Sequence, residues 1–225
     1  MKRLLIVLFF LFPLTSTWGQ DKELEELSAL YVKARNAKEL TNATLMFEHA
    51  LKIISGQLFS QSPLKKATFD GIPIKGSLDI FMGKLQFSKN FKDAEMVHST
   101  VAVTEGTWLG APCRLYASLT PDTKEVYAVF IVFEKKLFSW MQAESSIQSL
   151  DAFIKTQMYD DAGADIIFNR VMDSDFNSVN LKRLELANIY MCQDGYIITS
   201  VIPDAMREGE LHSIACIVNE TSLNK

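Results

Sequence analysis

The chain has 225 residues, of which 23 are Lys or Arg and 27 are Asp or Glu, giving a formal net charge of −4. Because the basic residues are scattered and form no stripe, the composition argues against nucleic acid as a partner. Hydrophobic residues make up 48% of the chain. That content is enough to bury a core, as one domain or two small ones, and it excludes disorder for most of the length.

Residues 1–19 have the layout of a secretory signal peptide. Lys2 and Arg3 precede an apolar stretch that runs from Leu4 to Leu14 and is followed by small and polar residues. This stretch is shorter than the roughly 20 residues that a membrane-spanning helix needs. We therefore predict cleavage after Gly19, a periplasmic or secreted mature protein, and no transmembrane segment after cleavage.

The three cysteines are Cys113, Cys192 and Cys216, so at most one intramolecular disulfide can form in an oxidising compartment. If the last strands form a simple meander, Cys192 and Cys216 lie two strands apart. That separation is about 9.5 Å, which exceeds the reach of a disulfide. We expect buried free thiols.

The first predicted elements are helical. Apolar residues recur every three or four positions from Leu24 to Ala34 and again from Phe47 to Leu58, while polar residues of lower helix propensity lie between them. Either a kinked helix or a helical hairpin fits this pattern. After a connector at residues 60–76, Ser77 can cap a short helix that buries Leu78, Phe81, Met82 and Leu85.

β-Branched and aromatic residues then predict antiparallel strands, interrupted by one amphipathic helix at about residues 143–159. The apolar stripe of this helix is Ile147, Leu150, Ile154 and Met158. The third strand is apolar on both faces, so both of its faces must be covered. Asp194-Gly195 predicts a tight hairpin in a second sheet. The predicted strands are residues 100–108, 113–119, 125–133, 166–171, 184–192, 196–202 and 211–218.

These elements predict an α+β fold. An N-terminal helical segment (residues 20–60) precedes two units, each a helix followed by an antiparallel meander (residues 61–140 and 141–225).

The run from Phe69 to Ser77 reads Phe-Asp-Gly-Ile-Pro-Ile-Lys-Gly-Ser and resembles a motif of uncharacterised exported proteins from gut-dwelling bacteria. The resemblance extends to Tyr159. It implies a fold similar to the β-lactamase-inhibitor-protein fold, a tandem of helical units each backed by a four-stranded sheet, and it implies no target. The chain departs from the family at Trp108, where Phe is usual, and at residues 159–161, where Tyr-Gly-x-Pro is usual.

Candidate metal and catalytic sites are incomplete in the sequence. Residues 173–177 begin like a calcium loop, but Ser178 replaces the turn glycine and Leu184 replaces the bidentate glutamate. The three histidines lack paired spacing, and the cysteines fit buried positions better than a nucleophile beside a histidine. The sequence therefore predicts no catalytic residue, no metal site and no cofactor.

The remaining signal is an aromatic-rich segment, because Trp and Tyr dominate interface hot spots. We predict an interface on a loop at residues 134–140 and a nearby strand end, formed by Trp108, Lys135, Lys136, Phe138 and Trp140. The predicted function is an exported, non-catalytic module that binds an unknown protein or cell-envelope ligand through this region or a sheet face.

Two alternative functions remain open from the sequence. A hydrolase with dispersed carboxylates would need a pocket holding two or more acids. A carrier of a small apolar ligand would need a cavity lined by residues such as Phe130 and Ile198.

Overall fold

The structure, a computed structural model, describes residues 17–55, 66–88, 91–154, 166–170, 186–207 and 209–223. The chain divides into two compact units, residues 1–35 and residues 36–225. The helices of the described ranges are α1 (Thr17–Ser55), α2 (Leu78–Ser88), α3 (Trp140–Phe153) and α4 (Glu220–Leu223). Their strands are β1 (Thr68–Phe69), β2 (Ile72–Pro73), β3 (Glu95–His98), β4 (Val101–Trp108), β5 (Ala111–Leu119), β6 (Val126–Leu137), β7 (Ile166–Arg170), β8 (Leu186–Cys192), β9 (Gly195–Pro203) and β10 (Leu211–Asn219).

The first unit contains the beginning of α1, which starts ahead of the predicted cleavage site at Gly19. Its apolar residues Leu27, Leu30 and Tyr31 are exposed. α1 is one helix from Thr17 to Ser55, so the alternative of a helical hairpin is wrong for these residues. Within the described ranges, no helix combines the length and the apolar character needed to cross a membrane.

The second unit contains one antiparallel sheet of eight strands in the order β3-β4-β5-β6-β10-β9-β8-β7. α2 is followed by the meander β3 to β6, and α3 is followed by the meander β7 to β10. The predicted α+β class with antiparallel pairing is thus confirmed. The expectation of a separate second sheet is wrong, because β6 pairs with β10 and joins the two meanders. β6 and β10 are both apolar on both faces. Their pairing removes the two strand edges that separate sheets would leave open.

One face of this sheet, here called the α3 face, is covered by α2, α3 and the β1–β2 hairpin. Its core includes Leu115, Ile131 and Ile217, which belong to one cluster with residues of both helices. The apolar stripes predicted for α2 and α3 are buried at Phe81, Met82, Leu85, Ile147, Leu150 and Ile154, whereas the predicted Leu78 is half-buried. The predicted stripe member Met158 lies outside the described residues.

The opposite face, here called the α1 face, carries a second apolar cluster that includes Phe130 and Cys216, against which Leu40 and Ala43 of α1 pack. Residues 36–45 of α1 also bury polar side chains, which the apolar periodicity did not predict. Glu39, 1% exposed, accepts hydrogen bonds from Arg114 Nη2 at 2.5 Å and Arg114 Nε at 2.9 Å. Burial alone would lower the pKa of Arg114, but the hydrogen bonds and charge of Glu39 outweigh it and raise that pKa.

Several local details differ from the predicted strands, among them the short β1–β2 hairpin, which lies within the predicted connector at residues 60–76. β6 continues to Leu137, so Lys135 and Lys136 lie in a strand and not in the predicted loop. The extension forms because β10 supplies partners, with Leu211 opposite Leu137 and His212 opposite Lys136. β3 was not predicted, because it contributes only four residues at the sheet edge, and they are mostly exposed.

The β8–β9 hairpin forms where it was predicted, with its turn shifted by one residue. Cys192 pairs with Gly195, so Gln193 and Asp194 form the turn. Gly195 therefore begins β9, and a Cβ atom there would lie 1.8 Å from the carbonyl oxygen of Val218 in β10. Glycine is needed at this position because the neighbouring backbone approaches too closely for any side chain.

Candidate functional site

A pocket of about 480 Å³ lies between α3 and the α3 face of the sheet. We call it the α3 pocket. Five elements line it, namely the β4–β5 turn, β5, β6, α3 and β10. Its lining residues are Leu109, Ala111, Phe133, Lys135, Ser146, Ser149, Leu150, Phe153 and Ser213. The volume and the mainly apolar wall with a few polar groups are typical of small-molecule sites.

The serine hydroxyls of the α3 pocket differ in what they offer a ligand. Ser146 Oγ and Ser213 Oγ lie 2.6 Å apart, so one hydroxyl proton is shared between them and the other stays available. Ser149 donates its proton to the carbonyl oxygen of Ser145 at 2.9 Å and can only accept from a ligand. Ser213 is buried and Ser146 is half-buried, so the hydroxyl pair is partly shielded from solvent.

Lys135 is the charged residue among those lining the pocket, and it differs from its neighbour Lys136 in its partners. Lys136 Nζ lies 2.5 Å from Glu210 Oε2 and 3.9 Å from Asp204 Oδ2. Lys135 is exposed and forms no ion pair with any acidic side chain that the structure describes. Its ammonium group is therefore available to a ligand, whereas that of Lys136 is already neutralised.

Trp108 lies behind the wall of the α3 pocket and not on the surface. Its ring stacks on Phe133 at a centroid distance of 5.6 Å and meets Phe153 edge-on at 5.9 Å. Its indole N–H donates to Asp70 Oδ2 at 3.1 Å. With 2% of its surface exposed, Trp108 cannot touch a partner directly, so its place in the predicted interface is corrected to a core role.

The other predicted interface residues do not form one group. Phe138 is 59% exposed at the end of β6, and Met141, which was not predicted, is 80% exposed in the first turn of α3. The backbone of Trp140 begins α3, but its side chain lies outside the described residues. Phe87 on α2 is 96% exposed and was also missed. Phe87 lies off the apolar stripe of α2, so the helical spacing in the sequence could have predicted its exposure.

The predicted buried thiols are confirmed, since Cys113, Cys192 and Cys216 are free and buried. Burial raises the pKa of the Cys113 thiol to about 12 and also raises that of Cys216. Cys113 faces the core from β5.

Among the histidine side chains that the structure describes, His212 is the buried one, and each of its ring nitrogens has a hydrogen-bond partner. Its Nδ1 lies 2.7 Å from the carbonyl oxygen of Phe133, and its Nε2 lies 2.8 Å from Asp204 Oδ2. Both ring nitrogens therefore lie within hydrogen-bond distance of an acceptor oxygen. His98 is exposed, and the side chain of His49 lies outside the described residues.

The calcium-like loop at residues 173–178 lies outside the described residues. Within the described ranges, no group of three or more His, Cys, Asp or Glu side chains is arranged to hold a metal ion. The carrier hypothesis expected a cavity beside Phe130 and Ile198, but both residues are buried in the packed α1 face. The α3 pocket lies on the other side of the sheet.

The lining residues of the α3 pocket were not predicted from the sequence as a site. They become neighbours only when β10 pairs with β6 and α3 packs over both strands. Comparisons with protein-family models, with curated proteins and with solved structures found no match to this chain.

Proposed function

We propose that the protein is a non-catalytic binding module for a small, largely apolar ligand that occupies the α3 pocket. The observation that supports this function most directly is the composition of the pocket wall. Leu109, Phe133, Leu150 and Phe153 supply apolar surface beside a few hydroxyls and one ammonium group. Burying an apolar ligand against such a wall contributes roughly 25 cal/mol per Å² of apolar surface.

The partners of the pocket serines favour binding over hydrolysis at this site. A serine nucleophile needs a general base within hydrogen-bond reach. Here Ser146 is bonded to the hydroxyl of Ser213, and Ser149 to the carbonyl oxygen of Ser145, neither of which is a base. The hydrolase alternative also needs two or more carboxylates in one pocket, and no Asp or Glu is among the described residues that line this one.

A protein partner is the second candidate function, and one specific observation favours it. Phe138 and Met141 are both strongly exposed where β6 passes into α3. Exposed aromatic and methionine side chains are enriched in protein interfaces. The sheet faces are poor candidates for docking, because the residues of the central strands β6, β9 and β10 are mostly buried on both faces.

We also propose that the protein is exported to the periplasm or secreted, on the signal-like layout of residues 1–19. Membership in the family of exported proteins from gut-dwelling bacteria is likewise a proposal, supported by the motif at residues 69–77. The two helix-plus-four-strand units are in keeping with the β-lactamase-inhibitor-protein-like fold that this resemblance implies.

Native mass spectrometry of the purified protein, incubated with an envelope lipid extract, tests the proposed function. Ser149→Trp places a large side chain in the α3 pocket, and Ser145→Trp, at an exposed position one turn earlier on α3, is the matched control. We expect a bound small molecule on the wild type and on Ser145→Trp, and little on Ser149→Trp. A wild type that binds nothing, or equal binding by both variants, would refute the function.

A further inference from the structure

The polar groups of the α3 pocket leave four hydrogen-bond donors that a ligand can satisfy. Lys135 brings an ammonium group with three donors, and the Ser146–Ser213 pair leaves one hydroxyl proton available. Ser149 is left as an acceptor because its own proton is already used within α3. A ligand group that satisfies these donors must offer acceptor oxygens, and a carboxylate is acceptor-only when it is ionised.

The charge at the rim of the pocket points to the same ligand chemistry. Lys135 has no ion-pair partner among the described residues, whereas Lys136 is held by Glu210 at 2.5 Å. An unpaired cation beside an apolar wall attracts an anion with an apolar body. Hydrogen bonds between ionised groups are also stronger than those between neutral ones.

We propose that the ligand of the α3 pocket is a small apolar acid, whose hydrocarbon body lies against Phe133 and Phe153 and whose carboxylate lies at Lys135. This inference rests on the function proposed above and specifies its ligand class. At about 30 Å³ per water-sized group, the pocket volume accommodates roughly 16 non-hydrogen atoms. A medium-chain fatty acid such as decanoate is within that size.

Isothermal titration calorimetry with two probes of equal chain length, decanoate and decanol, tests the ligand class. The variants are Lys135→Gln, which removes the pocket cation, and Lys75→Gln, which removes an exposed lysine between β2 and α2 as a control. We expect wild type and Lys75→Gln to bind decanoate about threefold to tenfold more tightly than decanol. Lys135→Gln should bind the two probes with equal affinity. The preference of the wild type for decanoate should also decrease as salt is added, since Lys135 is exposed and its charge is screened.

The two probes separate failure of this inference from failure of the proposed function. If decanoate and decanol bind equally well to all three proteins, the pocket takes apolar ligands without selecting an acid, and the inference is overturned. The same holds if Lys135→Gln keeps the full preference for decanoate. If neither probe binds the wild type, both the ligand class and the proposed function are overturned.

Discussion

Glu39→Gln should be among the most destabilising single substitutions in the chain. The Glu39 carboxylate is buried and accepts three hydrogen bonds, two from Arg114 and one from the hydroxyl of Tyr116 at 2.6 Å. Glutamine has only one acceptor oxygen, and its NH₂ group would face donors. Arg114 would remain buried with Glu134, a half-exposed carboxylate 2.9 Å away, as its remaining ion-pair partner among the described side chains.

Breaking a buried ion pair by removing one partner costs ~3–5 kcal/mol. In a protein of this length, that loss corresponds to a decrease of roughly 6–20 °C in Tm, at about 2–4 °C per kcal/mol. Urea unfolding followed by circular dichroism measures the free energy of unfolding directly. Glu25→Gln, at an exposed position on the same helix, is the control and should change stability by less than about 0.5 kcal/mol.

A double substitution separates loss of the pair from loss of packing. Glu39→Leu combined with Arg114→Met replaces both charges by apolar groups, which is often neutral in a buried site. The double variant should therefore be more stable than Glu39→Gln. A Glu39→Gln protein within about 0.5 kcal/mol of wild type would refute the reasoning, because it would mean that α1 does not depend on this pair to pack on the sheet.

Three further predictions follow from single positions. Gly195→Ala should destabilise the protein by ~1–3 kcal/mol in thermal unfolding, because its Cβ atom would overlap the Val218 carbonyl oxygen, and an unchanged Tm would contradict the close approach. Cys113 should react with a thiol reagent only after denaturant is added, since burial raises its pKa to about 12, and rapid labelling of the folded protein would count against its burial. Burial opposes ionisation of Asp204, but hydrogen bonds from His212 and from two backbone N–H groups outweigh burial and lower the pKa of Asp204 from its ordinary value. The stability that this carboxylate contributes is present above its ordinary pKa and is lost as pH falls through the lowered pKa. Asp204→Asn should thus destabilise the protein at neutral pH and progressively less as the solution is acidified through the lowered pKa, and a loss that does not change with pH would argue against this linkage.

The elements with strong local periodicity were predictable from the sequence. The spacing of Phe81, Met82 and Leu85 predicted α2, and the stripe through Ile147 and Leu150 predicted α3. The two apolar faces of β6 correctly indicated that both sides of the sheet are covered. These features were predictable because the buried residues of each element share one face, and that pattern lies within a few turns or strand residues.

Features that depend on distant pairing were not predictable. The face of α1 that packs on the sheet carries Asn36, Glu39 and Asn42, so its apolar pattern did not identify it. Glu39 is suited to burial only because Arg114 lies beside it, and 75 positions separate the two residues. The α3 pocket has the same origin, since its lining residues come together through the pairing of β6 with β10.

Aromatic composition was also an ambiguous signal. It could not distinguish Trp108, which closes the core behind the pocket, from Phe138, which is exposed. Both residues lie at the end of a strand, and their surroundings differ only in the packed structure. The predicted interface therefore combined a core residue with surface residues.

Quenching of Trp108 fluorescence by a bromine-labelled decanoate tests the central claim, that the α3 pocket is a ligand site, most directly. Bromine quenches an indole only at close range, and Trp108 contacts two aromatic rings of the pocket wall. We predict saturable quenching of the wild-type protein that is relieved by unlabelled decanoate and is absent in Trp108→Phe. If quenching is unchanged in Trp108→Phe, or if the labelled acid binds without quenching the wild type, the ligand lies elsewhere and the claim is contradicted.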